Sequence, residues 1–447
     1  MRLSCGMAFL FLLSAYAQAA TFGLGLHEAE KQALRASDQL KSFLSEAQAA
    51  DEQADAQFTG LLPKLSLQGT YTYYGTIPSV AFGPNFPAIN FGTNNTYMVG
   101  PVLSYTLWDT FSARKSYHAA ESLAEARSED HRNAELQLLY SLRSAYVQVQ
   151  LGIEELRLIY DSLQLARAEE QDVQHQFHAG AAARLDLLTA QRSVLSNEIQ
   201  FKQRQADLSS SFKDLLTLLG DHQSRDISNP GPAGIPRVTL VLGLDPLSKT
   251  LAEMSRMPIQ PPDDQQPQIR SQELQAESFE LGSESQTAKM FPTLQVSGSV
   301  TLNLPDIPNP PQFWQQAIGV SLSFPLFVGD PSPHLSAQNR DEAIAAEHRE
   351  AQLKENLARD YTKAVERLKS LQGQKELATR DIDQSEEAAK LYYSSYKAGR
   401  LNFIDVQNAN VQALMAKVNA ARIDAQILSQ IFLLESISGE GSEGKTL

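Results

Sequence analysis

The 447-residue chain has one cysteine, Cys5, and it lies in a segment built for removal. Arg2 supplies a positive end, Met7 to Leu13 an apolar stretch and Ala17-Gln18-Ala19 a small-x-small cleavage site, so residues 1–19 read as an export signal and the mature chain is expected to begin near Ala20. The mature chain then offers no disulfide, no thiolate for a metal and no cysteine at the cleavage point to carry a lipid. Long apolar runs are missing too: no later stretch approaches the roughly 18 residues of a membrane-spanning helix, so any entry into a bilayer must use β-strands. Basic charge is scarce, with 38 Lys and Arg against 52 Asp and Glu and a net charge of -14. This balance excludes the basic stripe of a nucleic-acid partner. Either solvated acidic helices or an acidic lumen would produce it. Catalytic signatures are also lacking. The 8 histidines are scattered, His27-Glu28 has no second histidine at zinc-protease spacing, and no phosphate loop or nucleophile elbow occurs. Neither enzyme chemistry nor a cofactor or metal is expected.

What is present is a duplication. FHAGAAARLDLLTAQ, from Phe177 to Gln191, aligns with YKAGRLNFIDVQNAN, from Tyr396 to Asn410, each with aromatic-x-Ala-Gly and an Asp six residues after the Gly. At the same offset GPVLSYTLW from Gly100 matches GVSLSFPLF from Gly319, while LPKLSLQG from Leu62 matches FPTLQVSG from Phe291 at an offset ten residues longer. The extra length falls in a loop marked by Pro78, Gly83, Pro84, Pro87, Gly92, Asn94 and Asn95; its shorter counterpart carries Pro305, Pro308, Pro310 and Pro311. The chain divides into repeat 1 over 20–220, a linker with little regular structure over 221–266, repeat 2 over 267–437 and a tail over 438–447.

Period-two alternation marks four strands, at about 64–74, 97–108, 293–304 and 316–327. Leu65, Leu67, Tyr71 and Tyr73 oppose Ser66, Gln68, Thr70 and Thr72, and the other three segments repeat the pattern. Each is near the ten residues a tilted strand needs to cross a bilayer. The wet parity carries almost no charge, and Tyr71, Tyr73, Tyr74, Tyr105, Trp108, Phe313, Trp314, Phe324 and Phe327 gather toward strand ends, as in a membrane-interface girdle. Four strands cannot close a barrel, which takes about eight, so several copies of the chain are needed.

The helices are long. From 110 to 175 there is no proline, and Leu142, Tyr146, Val149, Ile153, Leu156, Tyr160 and Leu163 form a heptad seam. A partner helix over 334–395 uses Leu357, Tyr361, Ala364, Leu368 and Leu371, and return helices are expected over 181–219 and 402–434. Gly180 and Gly399 stand where a left-handed residue closes a helix, making each motif a hairpin tip. A further helix precedes each first strand, over 26–59 and 267–289, ending at Pro63 and Pro292. The fold class is thus a mixed α/β membrane protein of two repeats, each helix, strand, strand, long helix, return helix.

The two tips, the two Pro-led strands and the doubled order resemble the TolC-like outer-membrane efflux protein family over nearly all of the mature chain. That resemblance implies a homotrimer in outer-membrane lipid, a twelve-stranded β-barrel continuous with a periplasmic α-helical coiled-coil barrel. It also implies docking to a periplasmic adaptor (membrane fusion) protein and an inner-membrane pump, in a tripartite efflux or secretion system whose passive gated conduit carries small molecules, ions or polypeptides. On the family pattern, Asp405 of the second tip is the constriction residue, with Asn408 where several members place a second Asp, and Asp186 and Thr189 stand at the matching places of the first tip. Some members use the first-tip Asp to hold the closed state. Ala179, Gly180, Ala181, Ala398, Gly399 and Leu401 become the adaptor-contacting tips, and Arg184 and Arg400 the available salt-bridge donors. An acid in the first turn of a helix is also favoured by the macrodipole alone, and alanines by close packing. A coiled-coil stalk with a membrane anchor would explain heptads and strands but not helices that fold back at matched tips.

Overall fold

The computed structural model describes residues 24–80, 83, 88–90, 93–221, 244–256, 260–305, 312–326, 329 and 331–439. The export signal, most of the linker and all but the start of the tail lie outside them, as do Pro84, Pro87, Gly92, Pro308, Pro310, Pro311 and Phe327. The elements are α1 (Leu26–Ala36), α2 (Asp38–Phe58), β1 (Lys64–Tyr73), β2 (Ser79–Val80), β3 (Ile89–Asn90), β4 (Asn95–Trp108), α3 (Ser112–His178), α4 (Arg184–Leu218), α5 (Leu247–Met254), α6 (Pro267–Ala288), β5 (Thr293–Pro305), β6 (Phe313–Ser323), α7 (Ser332–Lys397) and α8 (Phe403–Ser438).

Several elements depart from the sequence expectation. The helix expected over 26–59 is broken at Ser37, which is extended (φ -60, ψ 115). Ser and Asp compete locally for backbone groups, and Asp38 opens the next helix with its carboxylate on Lys41 at 2.9 Å. The linker holds the helix α5, because Leu247, Leu251 and Met254 share one buried face. The long first loop contains the β2–β3 pair. The last strand runs 313–323 rather than 316–327, stopping short of Pro325, which has no N–H to give a ladder. α3 starts at Ser112 rather than 110, after Thr110 and Phe111 take left-handed φ of 58 and 64 and Asp109 accepts from the Ala113 amide at 2.8 Å.

Two compact units divide the described chain, one drawing on 1–37, 135–261 and 360–447 and the other on 38–134 and 262–359. They do not coincide with the repeats: each unit takes segments from both halves, and α3 and α7 contribute to both.

In the second unit the strands form one antiparallel sheet in the order β1-β4-β5-β6, leaving β1 and β6 as edges. The register places Leu65 opposite Leu103, Tyr105 opposite Val296 and Val296 opposite Val320, so apolar side chains gather on one face. That face is bare: Leu67 is 77% exposed and Ile318 87%. Ser104, Ser297 and Gly319 align on the other face, and Lys64 is the sole charged residue of these four strands. β4 and β5 approach so closely at Gly100 that a Cβ there would lie 2.1 Å from the Val300 carbonyl oxygen. On the helical side Ser112 and Ser285, both buried, bond each other's carbonyls at 3.1 and 2.9 Å.

In the first unit the α3 seam is packed as its spacing requires. Leu142, Tyr146, Val149 and Leu156 are buried against Phe212, Leu215 and Leu24, while Ala364, Leu368 and Leu371 pack with Leu428, Ile431 and Phe432. A buried ion triad crosses this core: Arg143 reaches Glu30 on α1 and Glu435 on α8, each at 2.6 Å, and its guanidinium lies 5.3 Å from the Phe432 ring centre.

Candidate functional site: the hairpin tips

Both hairpin tips belong to the first unit. α3 ends in a Schellman motif: Gly180 has φ 73, its amide donates to Phe177 at 3.0 Å and the Ala181 amide donates to Gln176 at 2.8 Å. α7 ends identically, with Gly399 at φ 70, its amide on Tyr396 at 2.8 Å and the Arg400 amide on Ser395 at 3.0 Å. At such a φ a Cβ crowds the backbone and costs energy that glycine avoids, which accounts for a glycine in each motif. Ala179, Gly180, Ala181, Ala398 and Gly399 are exposed and Leu401 partly so.

The acidic residues diverge. Asp186, in the first turn of α4, accepts from its own helix start at the Ala183 amide (3.3 Å) and from the Phe403 amide at the start of α8 (3.4 Å). It therefore caps one hairpin and touches the other. Asp405 sits in the first turn of α8, partly exposed, and Asn408 one turn on is exposed; among the described residues neither side chain has a hydrogen bond or ion pair. Thr189 turns back to the Leu185 carbonyl at 2.8 Å. Arg184 and Arg400, expected as salt-bridge donors, pair with no carboxylate among the described residues. Asp186, Asp172 and Glu169 are engaged by other groups.

Those groups were not singled out in the sequence. Asp172 on α3 accepts from the Tyr393 hydroxyl at 2.6 Å and lies 3.1 Å from the Lys397 ammonium, both on α7. The Tyr393 hydroxyl, with Lys397 behind it, holds the Asp172 carboxyl below the usual range, while burial and then the bond to Asp172 push Tyr393 up to about 12. One turn earlier Glu169, 4% exposed, accepts from the Asn410 amide of α8 at 2.9 and 3.0 Å. Burial pushes its carboxyl up, opposed by that amide. Tyr396 and Phe403 stack edge-on at 5.3 Å in a core with Val173, Ala190 and Val406. The acids of 169–172 were visible in the sequence, but Tyr393 and Asn410 lie 221 and 241 residues away, and no local pattern joins them.

A unit whose sheet has an apolar exposed face and free edges, and a unit of coiled-coil hairpins that fold back at matched tips, are the parts of a membrane-channel subunit. The family model described as outer membrane efflux protein matches residues 30–221 and 263–440, and the chain belongs to that family. It is an outer-membrane protein with its helical region on the periplasmic side, and its family is one of efflux channels.

Solved structures with the same fold include CusC (17% identity, 98% of each chain, TM-score 0.74), whose structures concern folding and transmembrane channel formation. VceC from Vibrio cholerae is similar at 16% identity over 93% of this chain and 96% of that one, with a TM-score of 0.74. The open-state MtrE channel of Neisseria gonorrhoeae is similar at 17% identity over 96% and 94%, with a TM-score of 0.66. A search of curated protein sequences gives no match.

Proposed function

We propose that the protein is the outer-membrane duct of a tripartite efflux or secretion system, a passive homotrimeric conduit that receives cargo from an inner-membrane pump through a periplasmic adaptor. The observation that carries this reading is the four-stranded sheet with free β1 and β6 edges, one apolar exposed face and one face nearly without charge. An open edge is not tolerated in lipid. Pairing β6 of one copy with β1 of the next removes it, and three copies make a twelve-stranded barrel, above the minimum of about eight. Leu185, Leu188, Leu195 and Ile199 on α4 and Ile404, Val411 and Met415 on α8 are exposed at near-heptad spacing, which supports lateral packing of helices from neighbouring copies.

In this reading Asp405, followed by Asn408, narrows the periplasmic end, and Asp186 with Thr189 steadies it from the first tip. Ala179 to Ala181 and Ala398 to Leu401 meet the adaptor. Arg184 and Arg400 remain available to carboxylates of a neighbouring copy or of the adaptor. Opening requires contacts that favour the loosened tips over the packed ones. Planar-bilayer conductance tests the assignment. Asp405→Ala is expected to raise the current or weaken block by multivalent cations, and unchanged behaviour removes Asp405 from the constriction. Crosslinking to a mass other than three protomers would overturn the trimer.

A further inference from the structure

We infer that Glu169 links the packing of the two hairpins to pH, so that loosening of the tips releases a proton and acidification holds them together. The inference rests on the tips being the gate proposed above, and it names a regulation of that gate.

The geometry is a carboxylate closed in between hairpins. Glu169 lies on the first hairpin, 4% exposed, and both its oxygens face the single amide nitrogen of Asn410 on the second. One turn along α3, Asp172 takes Tyr393 and Lys397 from α7, so this stretch of α3 grips both helices of the second hairpin. Glu169 borders a groove of about 500 Å³ between α3, α7 and α8.

Among the described residues no cation pairs with it. From α3 come Asp161 and Asp172, the latter like-charged and adding to the upward push. From α7 come Glu386, Lys390 and Tyr393, and from α8 come Asn410 and Lys417. Lys417 is bound to Glu386 and Lys397 to Asp172, and Lys390 acts on Glu386. From α4 come Ala190 and Val194, which carry no charge, and Glu198, which is bound to Arg167 of α3 at 2.7 Å. A buried carboxylate served only by a neutral amide favours its protonated form.

The linkage has a definite sign. Packing raises the Glu169 pKa above its exposed value, so at high pH the ionised group opposes the packed state by the full amount. As pH falls through the raised value that opposition is relieved, and below the ordinary glutamate range nothing more is gained. Asp172 acts oppositely, but its lowered pKa puts its loss below the ordinary aspartate range, outside the window in which Glu169 titrates.

The test compares the full-length protein with Glu169→Gln by hydrogen exchange of tip amides at about pH 5 and about pH 7.5, each pair at the same pH so that intrinsic rates cancel. His175 and His178, which end α3, are present in both proteins, so the comparison isolates Glu169. The wild-type tips should open more at the higher pH, with a ratio bounded by about tenfold per unit of pKa displacement, and Glu169→Gln should remove that rise. Asn410→Leu, which removes the opposing amide, should enlarge it. Identical pH dependence in wild type and Glu169→Gln overturns the inference. Absence of wild-type conductance in bilayers at both pH values would instead overturn the channel reading, leaving the exchange ratio to judge Glu169.

Discussion

The Tyr146 hydroxyl donates to the Leu24 carbonyl at 2.9 Å and also accepts from the Asp245 amide at 3.1 Å. One fully buried phenol on α3 thereby ties the first described residues to the linker just before α5. Gln150, one turn on, adds bonds to the Asp245 carbonyl and the Thr250 hydroxyl at 2.6 and 2.8 Å. Tyr146→Phe keeps the ring and strands a buried carbonyl and amide, a cost of about 1–3 kcal/mol. It should lower the unfolding midpoint and speed proteolysis within 244–256; an unchanged cleavage rate there would refute the tie.

Arg143 stands between two buried carboxylates at 2.6 Å each. Arg143→Met leaves both without a counter-charge, and breaking such a cluster from one side costs about 3–5 kcal/mol. Replacing all three members, as Glu30→Gln, Arg143→Met and Glu435→Gln together, should cost much less than the single change. Denaturant unfolding of the two variants decides this. Equal losses would mean that packing on Phe432, rather than charge, is what Arg143 contributes.

Gly100→Val should prevent assembly in the membrane, because its Cβ falls within 2.1 Å of a backbone oxygen in the paired strand. Gly69→Val, in the same sheet with nothing within 4 Å of its Cβ, is the control and should be tolerated. Heat-resistant oligomer on gels reports both, and assembly of Gly100→Val would show that the strands can separate locally.

Tyr393→Phe removes the hydroxyl that does most to hold the Asp172 carboxyl down. Asp172 favours the packed tips while ionised, and that contribution is lost as pH falls through its lowered pKa. Tyr393→Phe should move the loss to higher pH and raise bilayer conductance near neutrality. Lys397→Ala should do the same more weakly, being the second cause of that shift. A larger effect from Lys397→Ala would reverse the ranking.

Much of this was legible in the sequence because periodicity and punctuation are local. Alternation defined the strands and their polar face, the Leu142 to Leu163 spacing defined the seam, and a glycine after an aromatic-x-Ala triplet defined each tip, since only the chain's own backbone sterics and side-chain spacing are involved. The ambiguity of Asp186 was also legible, and the fold resolves it toward capping combined with a bond to the second hairpin.

Tertiary structure alone decided which residues meet. The sequence could not pair Glu169 with Asn410, give Asp172 to Tyr393 and Lys397 in place of the nearby arginines, or divide the chain into units that cut across its repeats. Partners more than two hundred residues apart are chosen by how helices turn their faces to one another, and so is the burial that raises the Glu169 pKa and lets the Tyr393 hydroxyl lower that of Asp172.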